Sequence, residues 1–271
     1  MKRVISLTSI PPRFPRLNPT LKSLLEQGAD EVRLYIPCSY RRFPDWDGTL
    51  PEVPQGVTLH RADKDYGPAT KILPACMDLR DQDVQILLCD DDGSFASGWA
   101  EILFRLQDQR PSEAVVGYAR AAQGYVPNAV SLLKQPRLRE IPIRKDVPYR
   151  FGRLMHKMIG TSAPWRRPIG RAGYGEIFFG VGGAVVRPEF FDDVAYDVPE
   201  EAWAVDDVWL SAQLARRGIP IYCPRRHPMP RAADHAALEA LVDLELEAGR
   251  RQDLNRLAAQ YCQDRFGVWL S

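Results

Sequence analysis

Apolar and polar positions switch between two periods along the first ninety residues. Val4 to Ile10 is a mainly apolar run halted by Pro11-Pro12, the pattern of a strand. Leu21, Leu24 and Leu25 then recur at helical spacing, with Asn18 or Thr20 as a capping residue and Gly28 as a stop. Glu31 to Ile36 predicts a second strand and Val57 to Arg61 a third. Residues 37–55 between them, rich in Pro, Tyr, Arg and Trp, read as a loop. A turn at Asp65-Tyr66-Gly67-Pro68 leads into a helix over 69–79, and Val84 to Cys89 is a fourth strand. This alternation predicts an α/β fold with a mostly parallel central sheet and flanking helices.

Farther on, the pattern predicts a helix over 99–107 and a strand over 114–118. Residues 121–175 form the least regular part of the chain. They hold eleven Lys/Arg residues and the aromatics Tyr125, Tyr149, Phe151, Trp165 and Tyr174, as a functional loop region or lid would. A strand over 177–186 is interrupted by Gly180, Gly182 and Gly183. A helix over 205–217 stops at Gly218, a short strand covers 219–223, and residues 236–266 read as amphipathic helix. One domain over 1–235 is expected, with halves at about 1–120 and 121–235, followed by a helical extension over 236–271.

Composition narrows the function classes. The 271 residues are 45% hydrophobic and 26% charged, ordinary for a soluble globular chain. The net charge of +1 gives no reason to expect nucleic acid. Five scattered cysteines, odd in number and without a C-x-x-C pair, argue against a disulfide framework or zinc cluster. The N-terminus turns polar too soon for a signal peptide, and no apolar run approaches the roughly 18 residues of a membrane span. A cytoplasmic location is expected, with peripheral membrane contact left open.

Candidate chemistry begins with Asp90-Asp91-Asp92 at the end of the fourth strand. Like charges so placed repel one another, and a divalent cation would relieve the cost. Strand alternation would put Asp90 and Asp92 on one side, facing a metal and a diphosphate or ribose; the alternative is a solvated turn. Asp65-Tyr66-Gly67-Pro68-Ala69-Thr70-Lys71 offers helix amides and a lysine to an anion, or is simply a helix start. Asp206-Asp207 opens a helix, where one carboxylate could act as a general base or both could complement the dipole. The Gly180, Gly182 and Gly183 group allows close ligand approach or marks a bulge. His227, after Arg225-Arg226, could complete a metal shell or bind phosphate, or be a surface histidine. No G-x-S-x-G or G-x-G-x-x-G signature is present.

In this order, the segments resemble the nucleotide-diphospho-sugar glycosyltransferases of the GT-A fold, closest to family 2-like enzymes of bacterial polysaccharide type. The resemblance covers roughly residues 3–227. It rests on Ser6-Leu7-Thr8-Ser9-Ile10, the helix ending "SLLEQ", the "DYGPATK" and "DDD" segments, the glycine-rich strand, and "DDVWLSAQLARRGIPIYC". The last looks like the family's E-D-x-x-L pattern, with Asp206 in the glutamate position. The resemblance implies a Rossmann-like sheet with an irregular acceptor-side segment. It further implies sugar transfer from a nucleotide-diphosphate donor, UDP favoured, to a hydroxyl of a glycan or lipid-linked saccharide.

By position, Thr8, Ser9, Arg13 and Asp65 would line the nucleoside pocket, and Lys71 would sit near base or diphosphate. Asp90 would contact ribose or sugar, with Asp91 beside it. Asp92, with Asp90 and His227, would hold Mn²⁺ or Mg²⁺. Gly182 and Gly183 would border the acceptor, and Trp165 and Tyr174 would stack on sugar rings. Asp207 would be the base of an inverting displacement, Asp206 its neighbour. Two other readings compete. Asp90-Asp91-Asp92-Gly93-Ser94 also fits the D-x-D-G-[ST] pattern of haloacid-dehalogenase-like phosphatases. The same fold could also bind a nucleotide-sugar or glycan without turnover.

Overall fold

A computed structural model describes residues 1–126, 129, 135–233, 236 and 251–270. From the N-terminus, β1 (Lys2–Thr8) leads through α1 (Asn18–Leu25) to β2 (Glu31–Pro37) and β3 (Val57–Ala62). Helix α2 (Leu73–Asp78) precedes β4 (Val84–Leu88), a short β5 (Gly93–Ser94) and α3 (Trp99–Asp108). Next come β6 (Ala114–Val116), β7 (Ala119–Arg120), β8 (Arg139–Glu140), α4 (Val147–Ile159), β9 (Ile169–Arg171), β10 (Gly173–Gly175), β11 (Ile177–Phe178) and β12 (Ala184–Val186). The chain closes with α5 (Asp206–Arg216), β13 (Ile221–Cys223), β14 (Arg231–Ala232) and α6 (Arg251–Phe266).

Eight strands form the central sheet in the order β10-β13-β6-β12-β4-β1-β2-β3. The half built from β4, β1, β2 and β3 is parallel throughout, with Val4 opposite Ile86 and Glu31. In the other half, β12 runs antiparallel to both β4 and β6, with Val185 opposite Leu87. The mixed α/β sheet, mostly parallel and flanked by helices, is the expected class. β4 lies at its centre, and all five of its residues are buried. That explains a run that is apolar apart from Gln85 where a one-sided strand would alternate.

Each face of the sheet carries its own core. Ile5, Leu7, Leu34 and Leu87 point to one side, where α1 and α3 cover them with Leu21, Leu24, Trp99, Leu103 and Phe104. Val4, Ile86, Leu88 and Val186 point to the other, against Leu73 and Cys76 of α2, Trp209 and Leu210 of α5, and Cys262 of α6. Burying each such side chain is worth about 1.5–3 kcal/mol. Gln85 is a polar interruption inside β4; its amide donates to Gln107 Oε1 at 2.6 Å and Asp108 Oδ1 at 2.8 Å, so α3 takes up its N–H groups.

Several local expectations change. α1 starts at Asn18 without a side-chain cap, because Pro19 supplies the preset first turn. The helix expected over 69–79 is a 3-10 turn over Gly67–Lys71 followed by the short α2. The glycine-rich strand is split into β11 and β12 by a 3-10 turn at Gly180–Gly182. Within 121–175 a full helix, α4, stands in the stretch that reads as least regular. The expected helix over 236–266 appears as α6 over 251–266; residues 237–250 and His235 lie outside the described residues. α6 packs against α5, with the Phe266 ring 5.8 Å from that of Trp209. No described helix is long and apolar enough to cross a membrane.

Candidate active site

A cavity of about 250 Å³ opens beyond the carboxyl ends of β1, β2 and β4. This is where open α/β sheets bind ligands, because loops diverge there and leave a crevice. Six aspartates, three basic side chains and three aromatic residues share its lining.

The charged residues are organised around Lys71. The 3-10 turn Gly67–Lys71 carries its side chain inward, where it is only 5% exposed. Nζ donates to Asp90 Oδ1 at 2.6 Å and lies 2.9 Å from Asp206 Oδ2, an ion-pair contact without hydrogen-bond geometry. Burial by itself would favour neutral lysine. Asp206, Asp90 and Asp207 outweigh it and hold the ammonium pKa well above the usual value. Ser6 fixes the lysine backbone by donating its hydroxyl to the Lys71 carbonyl at 2.6 Å.

Asp207 stands beside this pair at the start of α5, and the Gly180 N–H donates to its Oδ1 at 2.8 Å. Burial and the Asp206 charge raise its pKa to about 7, against the opposing pull of Lys71. A Cβ on Gly180 would fall 2.6 Å from Lys71 Nζ and 3.0 Å from Asp90 Oδ1, so any larger residue there would displace this ion pair.

The aspartate triplet does not alternate as a strand would, because β4 ends at Leu88 and the three side chains fan out. Asp90 turns to Lys71. Asp91 is buried; Arg13 Nη1 donates to its Oδ1 at 2.6 Å and Ser9 donates to its other oxygen. Asp92 is left with Arg13 Nη1 at 3.5 Å. Burial, Asp90 and Asp91 push its pKa up to about 6, only partly countered by Arg13 and Lys71. Asp91 thus braces the loop after β4 against the loop after β1.

The aromatic lining comes from Tyr40 and Phe43, in the loop after β2, and from Trp203, just before α5. The Tyr40 hydroxyl donates to the Ser9 carbonyl at 2.6 Å. Trp203 Nε1 donates to the Asp65 carbonyl at 3.3 Å. Both Asp65 carboxylate oxygens accept backbone N–H groups, from Gly67 and Arg41, each at 2.8 Å. The Asp65 side chain therefore shapes the turn. Gly67 has φ +60, and a Cβ on it would lie 2.6 Å from the Trp203 carbonyl oxygen.

Of the expected site residues, Thr8, Ser9, Arg13, Asp65, Lys71, Asp90, Asp91, Asp92, Asp206 and Asp207 all line this cavity. His227, Gly182, Gly183, Trp165 and Tyr174 do not. His227 is buried beside the Trp99 ring, neither ring nitrogen has a hydrogen-bond partner, and burial with nearby Arg167 pushes its pKa down to about 3. Gly182 packs on Tyr118 and Gly183 on Trp99, so both glycines serve core packing. The Tyr174 ring is buried at the sheet edge with its hydroxyl donating to Glu113 at 3.1 Å. Arg231 lies over the Trp165 ring at 3.8 Å. Neither ring is placed to stack on a sugar in this cavity. Tyr40, Arg42, Phe43 and Trp203 escaped the sequence reading, whereas Gly180 was among the glycines it singled out. The aromatic loop after the second strand was the signal available for the first three.

The site's fit to a divalent cation can be judged from its donors. Among the described residues no group of three His, Cys, Asp or Glu side chains is arranged to hold a metal ion, so Asp92, Asp90 and His227 do not form the expected set. However, six aspartates line the cavity against Arg13, Arg42 and Lys71. That excess of hard oxygen donors, with Asp92 the least committed, fits a cation held by two carboxylates and completed by substrate phosphates.

No family model matches the chain, and no curated protein matches it. Solved structures similar to it include S. aureus TarS 1-349, at 13% identity and TM-score 0.44 over 98% of this chain and 72% of that one. S. aureus TarS 1-349 in complex with UDP-GlcNAc is similar at 12% identity and TM-score 0.47, over 91% and 62%. A further S. aureus TarS structure is 37% covered by this chain. Likeness at this level carries no functional assignment.

Proposed function

We propose that this chain is a GT-A-type glycosyltransferase that moves a sugar from a nucleotide-diphosphate donor, UDP favoured, to a hydroxyl of a glycan or lipid-linked saccharide. The observation that carries the reading is one cavity, beyond the carboxyl ends of parallel strands, that combines a buried Lys71–Asp90–Asp206 ion cluster and Asp207 with the aromatic residues Tyr40, Phe43 and Trp203. The aromatic lining suits a nucleobase, and the charged residues suit a diphosphate and the reacting sugar.

In this reading Asp207 accepts the proton of the acceptor hydroxyl while that oxygen attacks the anomeric carbon. The bond to the diphosphate breaks with its electron pair, and the configuration inverts. A base with a pKa of about 7 is matched to proton removal near neutral pH. The Gly180 N–H fixes the direction of its carboxylate, and Asp206 keeps its proton affinity high. Lys71 and Arg13 bring positive charge to the leaving-group end. Asp92 and Asp90 would hold Mn²⁺ or Mg²⁺, which would offset the charge of the diphosphate.

The test is a thermal-shift panel of UDP-, GDP-, CMP- and dTDP-linked sugars, each with and without Mn²⁺. Stabilisation by one nucleotide diphosphate, dependent on metal and lost in Asp92→Ala, supports the reading. No shift with any of them counts against it, and transient phosphorylation of the Asp90 carboxylate, as an acyl phosphate, would favour the phosphatase instead.

A further inference from the structure

Helix α4 is unusual in burying nothing: none of its thirteen residues is buried. Even so it is a well-formed helix. Asp146 accepts the Tyr149 N–H at its start, and Gly160, with φ +67, ends it. Val147, Phe151, Leu154 and Met158 follow one another at steps of four, three and four, which sets them in a single stripe. Their exposures are 66%, 62%, 52% and 68%. Ile143 and Ile159 extend the apolar surface at the two ends.

The orientation of the helix accounts for the exposure. Only Tyr149, Gly152 and Met155 are partly covered, and Gly152 lies against Pro164, which a Cβ would meet at 3.1 Å. At 100° per residue the centre of this line lies about 130° around the helix from the apolar stripe, so the stripe is turned away from the covered side. Arg150, Arg153 and Lys157 flank it on one side, with Arg144 and Lys145 just ahead of the helix. Asp146 is the sole acid between residues 141 and 160.

We propose that α4 is a membrane-surface helix, lying flat on an anionic phospholipid bilayer with Phe151, Leu154 and Met158 among the acyl chains and Arg150, Arg153 and Lys157 at the lipid phosphates. A narrow apolar stripe bordered by long basic side chains is the form that interfacial helices take, since the basic stems reach back to the headgroups. A second copy is a poor occupant. It would set two strongly basic segments against each other without acids to pair them. The charge complement of this face is an anionic surface.

The experiment uses the full chain with vesicles of phosphatidylcholine alone and of phosphatidylcholine with phosphatidylglycerol in roughly a two-to-one ratio, read by flotation. Binding to the anionic vesicles, weakened by high salt, is expected. It should fall about tenfold or more in Phe151→Asp/Met158→Asp, and about a hundredfold when Arg150, Arg153 and Lys157 are all changed to Gln. All five side chains are exposed, so the variants should keep the parent melting temperature. The proposal is overturned if the parent chain binds neither vesicle or if the variants bind as well as the parent. It is also overturned if light scattering shows a parent dimer that Phe151→Asp/Met158→Asp dissolves. These residues lie outside the donor cavity, so nucleotide-dependent thermal shifts test the transferase reading separately.

Discussion

Replacing Lys71 by Met keeps the length of a buried side chain and deletes the charge that three aspartates surround. Lys71 is 5% exposed and Asp206 3%, so water cannot replace the lost ammonium at Asp206; Asp90, at 33%, can rehydrate in part. Leaving one member of a buried ion pair uncompensated costs about 3–5 kcal/mol. For a chain of this size that is a loss of roughly 10 °C in melting temperature. The loss should depend on pH. Burial and Asp206 already hold Asp207 at a pKa of about 7, with Lys71 pulling the other way, so removing Lys71 moves it higher still. A carboxylate whose pKa is higher folded than unfolded binds its proton more tightly in the native state. Its contribution to stability is complete at acid pH and is lost as pH rises through the folded value. The Lys71→Met deficit should therefore be large at pH 8 and smaller at pH 5. Urea unfolding at both pH values measures it, and Lys71→Met/Asp206→Asn should recover part of the difference as a double-mutant cycle. A deficit below about 1 kcal/mol at pH 8, or one equal at both pH values, refutes the view of Lys71 as the central counter-charge.

Other expectations concern chemistry and shape. Asp207→Asn should lower turnover by about two to four orders of magnitude while leaving nucleotide binding close to the parent value; a steady-state transfer assay with a parallel thermal shift separates the two. In the parent enzyme, activity should rise with pH through about 7 as Asp207 loses its proton; a profile flat from pH 5 to 8 would remove it as the base. Gly67→Ala places a methyl group 2.6 Å from the Trp203 carbonyl at φ +60, so it should cost about 1–3 kcal/mol and weaken donor binding. Calorimetric titration with the nucleotide found in the thermal-shift panel would measure this.

Much of the fold could be read because its central strands are buried on both faces. The runs from Val4 and Val84 are mainly apolar, interrupted within the strands by Ser6, Thr8 and Gln85, and the structure makes them β1 and β4. The acidic residues at their ends were legible for the same reason, since three charges after a buried strand demand an explanation. Helix α4 was not legible as an element. Its thirteen residues sit in a proline- and arginine-rich stretch, and its stripe has no core to answer. His227 was read as a surface residue or ligand because sequence does not reveal that Trp99 and Gly117 enclose it. Trp203 and Tyr40 reach the cavity from segments with no period at all. Their placement depends on where the loops cross, which no local pattern encodes.

The position of β4 bears on how the protein must fold. Its neighbours are β1, with Val4 against Ile86, and β12, with Val185 against Leu87. Both pairings close long loops, whose entropic cost comes before any contact rewards it. Neither side of the central strand can be completed from local sequence, so refolding should fall in the slower range of roughly milliseconds to seconds. Asp206 reaches Lys71 only once α5 has docked beneath β11, and until then the aspartates stay in water, where their charge is cheap. The ion cluster should therefore form at the end of folding, together with the sheet's second half, and serve as a late spectroscopic marker of the native state.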